Sequence, residues 1–147
     1  LEILRYLSGV DPATPSIQPG VLLQRLVQVL RIPMRDVGLR VEVAHGSHDS
    51  PAMVDACAMT RAICEVVTAI GKSVPRGLEG RLVLDLTRQA RGGARVEITI
   101  EADASMLPFP LDVGAAVDAA RAPLTADGVR IERIDPESLA LSIGRDV

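Results

Sequence analysis

The sequence predicts an α/β sandwich: a mixed, mostly antiparallel sheet carrying helices on one face. Three observations lead there. Residues 81–87 and 95–101 alternate apolar and polar side chains on either side of Gly92-Gly93, the pattern of two half-buried strands joined by a short turn. Residues 50–72 repeat Met53, Ala56, Cys57, Ile63, Cys64, Val67 and Ile70 at helical spacing, a broad apolar face that a sheet or second helix must cover. Alternation recurs at 39–44, 129–134 and 139–143 and supplies the remaining strands.

Taken in order, Leu1, Ile3, Leu4 and Leu7 form an apolar helical stripe that Gly9 stops. Residues 10–19, with Pro12, Pro15 and Pro19, read as a linker, so 1–19 is a helix end plus linker and 20–147 the globular unit. Gly20 to Ile32 is an amphipathic helix through Val21, Leu22, Leu26, Val27, Val29 and Leu30, ending near Pro33. Leu39, Val41 and Val43 then point inward from a strand, against Arg40, Glu42 and Ala44. A loop from His45 to Asp49 leads to the central helix, with Ser50 as N-cap, Pro51 in its first turn and an end near Gly71 to Ser73. Within its apolar face the Thr60 hydroxyl is expected to bond back to the Ala56 carbonyl. After the hairpin, Met106 to Leu111 is an irregular link with Pro108 and Pro110. Val113 to Ala122 is an Ala-rich helix, and Asp135-Pro136-Glu137-Ser138 turns the last two strands.

Composition limits what such a domain can do. With 147 residues, 48% apolar and 24% charged, the chain is long enough for one sizeable core and too apolar for disorder. It holds one Tyr (Tyr6), one Phe (Phe109) and no Trp, so stacking platforms for single-stranded nucleic acid are missing. A net charge of −3 with interspersed signs gives no basic footprint for a phosphate backbone. No apolar run reaches the ~20 residues of a spanning helix. Cys57 and Cys64 lie about 10 Å apart along one helix, too far for a disulfide, and read as reduced core thiols in a cytoplasmic protein.

Function is sought on the flank of the central helix, where Arg61, Glu65, Thr68 and Lys72 align at three- and four-residue steps beside Ala69. Glu65 reads either as a residual catalytic base or as a surface carboxylate paired with Arg61, and the helix dipole alone favours Lys72 in the last turn. His45, His48 and Asp49 are too sparse a set for a metal and read as a solvated loop. Arg88, Arg91 and Arg95 around the glycine turn read as a solvated hairpin tip or a dock for an acidic partner. Neither histidine has the partners of a nucleophilic triad.

The element order, together with Cys64-Glu65-Val66-Val67-Thr68-Ala69-Ile70-Gly71-Lys72, resembles the catalytic and ATP-binding domain of sensor histidine kinases of the HWE type, in the GHKL superfamily with its Bergerat-like fold. Their central helix carries a motif close to N-E-L-V-T-N-A-L-K-H, followed by a Gly-rich loop, a hairpin and a D-x-G-x-G box. The similarity runs from about Gly20 to Pro108. It places Glu65 at the acidic position of the N box and Lys72 at the lysine that reaches toward phosphate. The Asn that ligates Mg²⁺ is replaced by Ala69, which has no oxygen to offer a hard cation. The adenine-binding Asp falls on Ala102 and the glycines on Ala104 and Met106. Sliding by one to use Asp103 supplies no glycine, and Gly114 is the remnant of a second glycine box.

The resemblance therefore implies a degenerate pocket with neither ATP nor Mg²⁺ as cofactor. The expected role is an interaction or phosphotransfer-docking module in a two-component phosphorelay, with a response-regulator receiver as partner, an upstream dimerisation helix and a homodimer. Alternatives are an active kinase domain using ATP and Mg²⁺ and an anti-sigma-like binding module.

Overall fold

A computed structural model of the chain describes residues 16–44, 54–75, 79–87, 94–102, 112–126 and 128–143. Strand β1 (Ser16–Ile17) is followed by helix α1 (Pro19–Asp36), β2 (Leu39–Val43), β3 (Val54–Asp55) and helix α2 (Ala56–Ser73). Then come β4 (Gly80–Thr87), β5 (Ala94–Ala102), the short helix α3 (Val113–Ala116), α4 (Asp118–Ala126), β6 (Val129–Asp135) and β7 (Ser138–Ile143).

The main sheet has five strands in the order β2-β4-β5-β7-β6. Only β2 and β4 run parallel, so the sheet is mixed and mostly antiparallel as the alternation predicts. Register puts Leu82 opposite Ile100, Leu84 opposite Ile98 and Leu86 opposite Val96, all buried. Val96 and Ile98 in turn face Leu141 and Leu139. These side chains share one apolar core with α1 and α2, which pack side by side. Across the sheet, the outer face is polar: Arg81 bonds Glu42 at 3.1 Å and pairs with Glu101, while Arg95 holds Glu132 at 2.6 Å and Glu97 at 3.6 Å. Arg95 is thus engaged on the sheet and does not stand free as a dock, and Arg88 and Arg91 lie outside the described residues.

Helix α1 runs a full turn past the expected stop at Pro33. A proline inside a helix loses one backbone bond and crowds the preceding turn, a cost of about 3 kcal/mol. The extra turn carries Met34, 4% exposed, into the core against α2. Contact there is close: a Cβ added to Gly71 would lie 2.8 Å from Met34 Cε. The helix then closes on bonds from Val37 N to Met34 O (3.2 Å) and Gly38 N to Arg35 O (3.1 Å). Gly38, with φ 85°, takes the left-handed conformation that turns the chain into β2.

The start of α2 also differs from the sequence reading. Ser50 lies outside the described residues, and the helix begins at Ala56, behind β3, which pairs antiparallel with β1. Ser16 and Ile17, read as linker, therefore belong to a small second sheet. The cap is Asp55, whose Oδ1 accepts from Ala58 N at 3.1 Å. Thr60, fully buried in the apolar face, leaves its hydroxyl without a hydrogen-bond partner and makes no bond to Ala56. The helix expected over 113–122 is broken at Val117 into α3 and α4, and α4 continues to Ala126 through Pro123. Val113, Val117 and Leu124 are all buried in the core. Asp135 Oδ1 accepts from Glu137 N at 2.8 Å and forms the expected turn between β6 and β7. No helix among the described residues is long and apolar enough to cross a membrane.

Substitutions at two positions test these points by urea denaturation. Asp55→Ala is expected to cost about 1 kcal/mol, with Asp55→Asn close to the parent because it caps equally well. Thr60→Val, which exchanges the unpaired hydroxyl for a methyl of like shape, is expected to raise the midpoint by about 1 kcal/mol worth of stability.

Candidate functional site

The helical period that buries Ile63, Val66, Val67 and Ile70 turns Cys64, Glu65, Thr68, Ala69, Lys72 and Ser73 toward one flank of α2. That flank is one wall of a groove of about 690 Å³, and Ala116, Ala119, Ala120 and Pro123 of α3 and α4 form the other. The second wall is fixed to the sheet edge. Asp112 caps α3 by accepting from Ala115 N at 3.2 Å and also pairs with Arg133 of β6, while Arg121 of α4 donates to Ile131 O at 3.1 Å. Gly114 lies against Arg133: an added Cβ would sit 2.8 Å from its Nε.

The structure thus brings Glu65, Ala69 and Lys72 together, as the sequence reading places them. Ala102 is elsewhere, at the end of β5 opposite Gly80, and Asp103 and Ala104 lie outside the described residues, as do His45 and His48. Arg61 takes no part in the groove. Sequence reasoning missed the far wall. Its signal was present, since Ala116, Ala119, Ala120 and Pro123 recur at steps of three, four and seven on a helical stretch.

Glu65 and Lys72 are exposed at the rim, and no ion pair joins Glu65 to Arg61. Burial, and secondarily the negative charge of Glu65, push the Cys64 thiol up to about 11. The protonated thiol is therefore favoured near neutrality, which lowers its thiolate fraction. No group of three or more His, Cys, Asp or Glu among the described residues could hold a metal. A magnesium nucleotide asks for hard oxygen ligands and several phosphate donors. Position 69 presents a methyl, and the facing wall presents three more methyls and a proline ring. Thr68, Lys72 and Ser73, whose hydroxyl donates to Ile70 O at 2.7 Å, also line this flank.

No family model matches the sequence, and no curated protein matches it. Solved structures do match in shape. The blue-light activated histidine kinase of Erythrobacter litoralis EL346 superposes with a TM-score of 0.62 at 18% identity, over 98% of this chain and 52% of its own. The catalytic domain of the histidine kinase ThkA gives 0.57 at 8% identity, over 89% of this chain and 95% of its own. A structure of ThkA with the response regulator TrrA gives 0.61 at 9% identity, over 99% of this chain and 47% of that one. The chain thus spans about half the length of the first of these, at 52%. Its fold is that of these solved histidine-kinase catalytic domains.

The groove chemistry makes a pH prediction for Cys64. With its thiol raised from 9.0 to about 11, alkylation by iodoacetamide at pH 7.5, followed by peptide mass mapping, is expected to run about a hundredfold slower than in the urea-unfolded chain. The same displacement favours the folded state below pH 9, and that contribution is lost as pH rises from 9 through 11.

Proposed function

We propose that this chain is a histidine-kinase-like domain of a two-component phosphorelay whose groove no longer handles ATP, and that it serves as a docking module for a response-regulator receiver. The observation that supports the reading is the groove between α2 and α4, whose centre is lined by Ala69, Ala116, Ala119 and Ala120 where nucleotide handling needs oxygen and amide groups. The match to a kinase solved with its response regulator favours a receiver as the partner class. A phosphotransfer histidine, in this reading, belongs to a dimerisation helix, and the protein works in the cytoplasm as a homodimer.

Calorimetry with ATP and Mg²⁺ tests the first half. No saturable binding tighter than about 100 μM, roughly −5.5 kcal/mol, is expected, and tighter binding overturns the reading in favour of an active kinase domain. For the second half, receiver domains of the same organism are titrated against the full chain. At least one is expected to bind with a micromolar Kd that added ATP leaves unchanged. Binding of a sigma factor and of no receiver would favour an anti-sigma role.

A further inference from the structure

A second groove, which shares no lining residue with the first, lies between the C-terminal half of α1 and the edge strand β2. It measures about 550 Å³ and is lined by Arg31, Ile32 and Arg35 of α1, by Leu39, Arg40 and Val41 of β2, and by Gly38, Glu79 and Gly80 at its end. Arg31, Arg35 and Arg40 line it beside one carboxylate, Glu79. Arg40 is held loosely by Glu42 at 4.0 Å, and neither Arg31 nor Arg35 meets a carboxylate among the described residues. The surplus of charge is positive in a chain whose net charge is −3.

Two further features converge on the same place. The large apolar side chains that stand exposed include Val29 (47%) and Ile32 (68%), three residues apart on α1, and Ile32 lines the groove. Strand β2 ends the five-stranded sheet and, among the described residues, has a strand neighbour only in β4. Gly38 O and Ala44 N are spent on Gly80 N (3.1 Å) and Leu84 O (2.9 Å). In a parallel pair, alternate residues bond to the same side, so the even positions serve β4 and the backbone groups of Leu39, Val41 and Val43 point to the open edge. One of these, Val41 O, accepts from Arg31 Nε at 3.5 Å, a long contact that a strand N–H can replace.

We propose that this edge is a docking site for an extended acidic segment of a partner protein, added as a further strand beside β2. Its main chain bonds to Leu39, Val41 and Val43. On the helix side its carboxylates meet Arg31 and Arg35 beside Ile32, and on the outer side a carboxylate meets Arg40. The positive surplus selects an acidic occupant, and the unspent edge selects an extended one. The site does not depend on what the groove of α2 and α4 binds.

The test is fluorescence anisotropy on the full chain, with a fluorescein-labelled decapeptide that alternates Val and Glu, and its Val and Lys counterpart. The acidic peptide is expected to bind at 50 mM NaCl and to weaken at least fivefold by 300 mM, the basic one not to bind. Arg31→Glu with Arg35→Glu is expected to weaken binding at least tenfold, and Ile32→Ser at least threefold. Should the double variant fail to fold by circular dichroism, Arg35→Gln alone is expected to weaken binding threefold, since Arg35 is exposed. In NMR, the amides of Leu39, Val41 and Val43 are expected to exchange more slowly with peptide bound. Equal binding of both peptides, indifference to charge reversal or to Arg35→Gln, or unchanged amides on β2 would each overturn the proposal. Tighter binding of a ten-residue oligothymidine than of the acidic peptide would overturn it too.

Discussion

Helix α2 buries Ala56, Met59, Ala62, Ile63, Val66, Val67 and Ile70 completely, and this fixes its roll about its own axis. Each fully buried aliphatic side chain contributes about 1.5–3 kcal/mol relative to exposure, so turning the helix by one residue would forfeit several of them at once. The same face tolerates Thr60, whose unpaired hydroxyl costs about 1–3 kcal/mol, because the apolar neighbours on both sides outweigh it. The flank carrying Glu65, Thr68, Ala69 and Lys72 is aimed at α4 by this burial and by nothing of its own, since Glu65 and Lys72 are exposed and Glu65 makes no ion pair with Arg61. The groove is a by-product of the core.

The outer face of the sheet contributes differently. Arg81, Glu42 and Glu101 form one cluster and Arg95, Glu97 and Glu132 another, and all are partly or largely exposed. Exposed pairs are worth ~0–1 kcal/mol each, so they set strand register and solubility more than stability. An exception in packing is Ala140, fully buried on that face between Glu97 and Glu132, where a small side chain lets the flanking charged residues close over it.

The strands and the α2 flank were legible in the sequence because both rest on periodicity, and burial reads periodicity directly. Leu82, Leu84 and Leu86 could face only one way once Val96, Ile98 and Ile100 did the same. Element ends were less legible, since they depend on tertiary contacts. Ser50 and Pro51 make a better local helix start than Asp55, yet the pairing of β1 with β3 holds Val54 and Asp55 extended and delays the helix to Ala56. Pro33 is a local stop signal overridden by the burial of Met34 against Gly71. Val113, Val117 and Leu124 have the spacing of one helical face and are all buried, while the break at Val117 leaves no mark in that spacing. The methyl wall at Ala116, Ala119 and Ala120 has helical spacing but carries no polar residue, and a search for chemistry passes over it.

The two sheet edges explain why an open strand need not lead to self-association. Unpaired edges invite a second copy unless charge or cover prevents it. Two β2 edges brought together would oppose Arg31, Arg35 and Arg40 of one copy to the same three residues of the other, a like-charge arrangement across a strand pair. The opposite edge, β6, offers no better match: Glu132 is already held by Arg95, Arg133 by Asp112, and Asp135 accepts from Glu137 N, which leaves Arg130 as the further charge along that strand. An acidic strand from another protein meets neither obstacle. The arginines that discourage pairing between copies are therefore the ones that would admit such a strand, so one set of side chains both guards the edge and selects what is allowed on it.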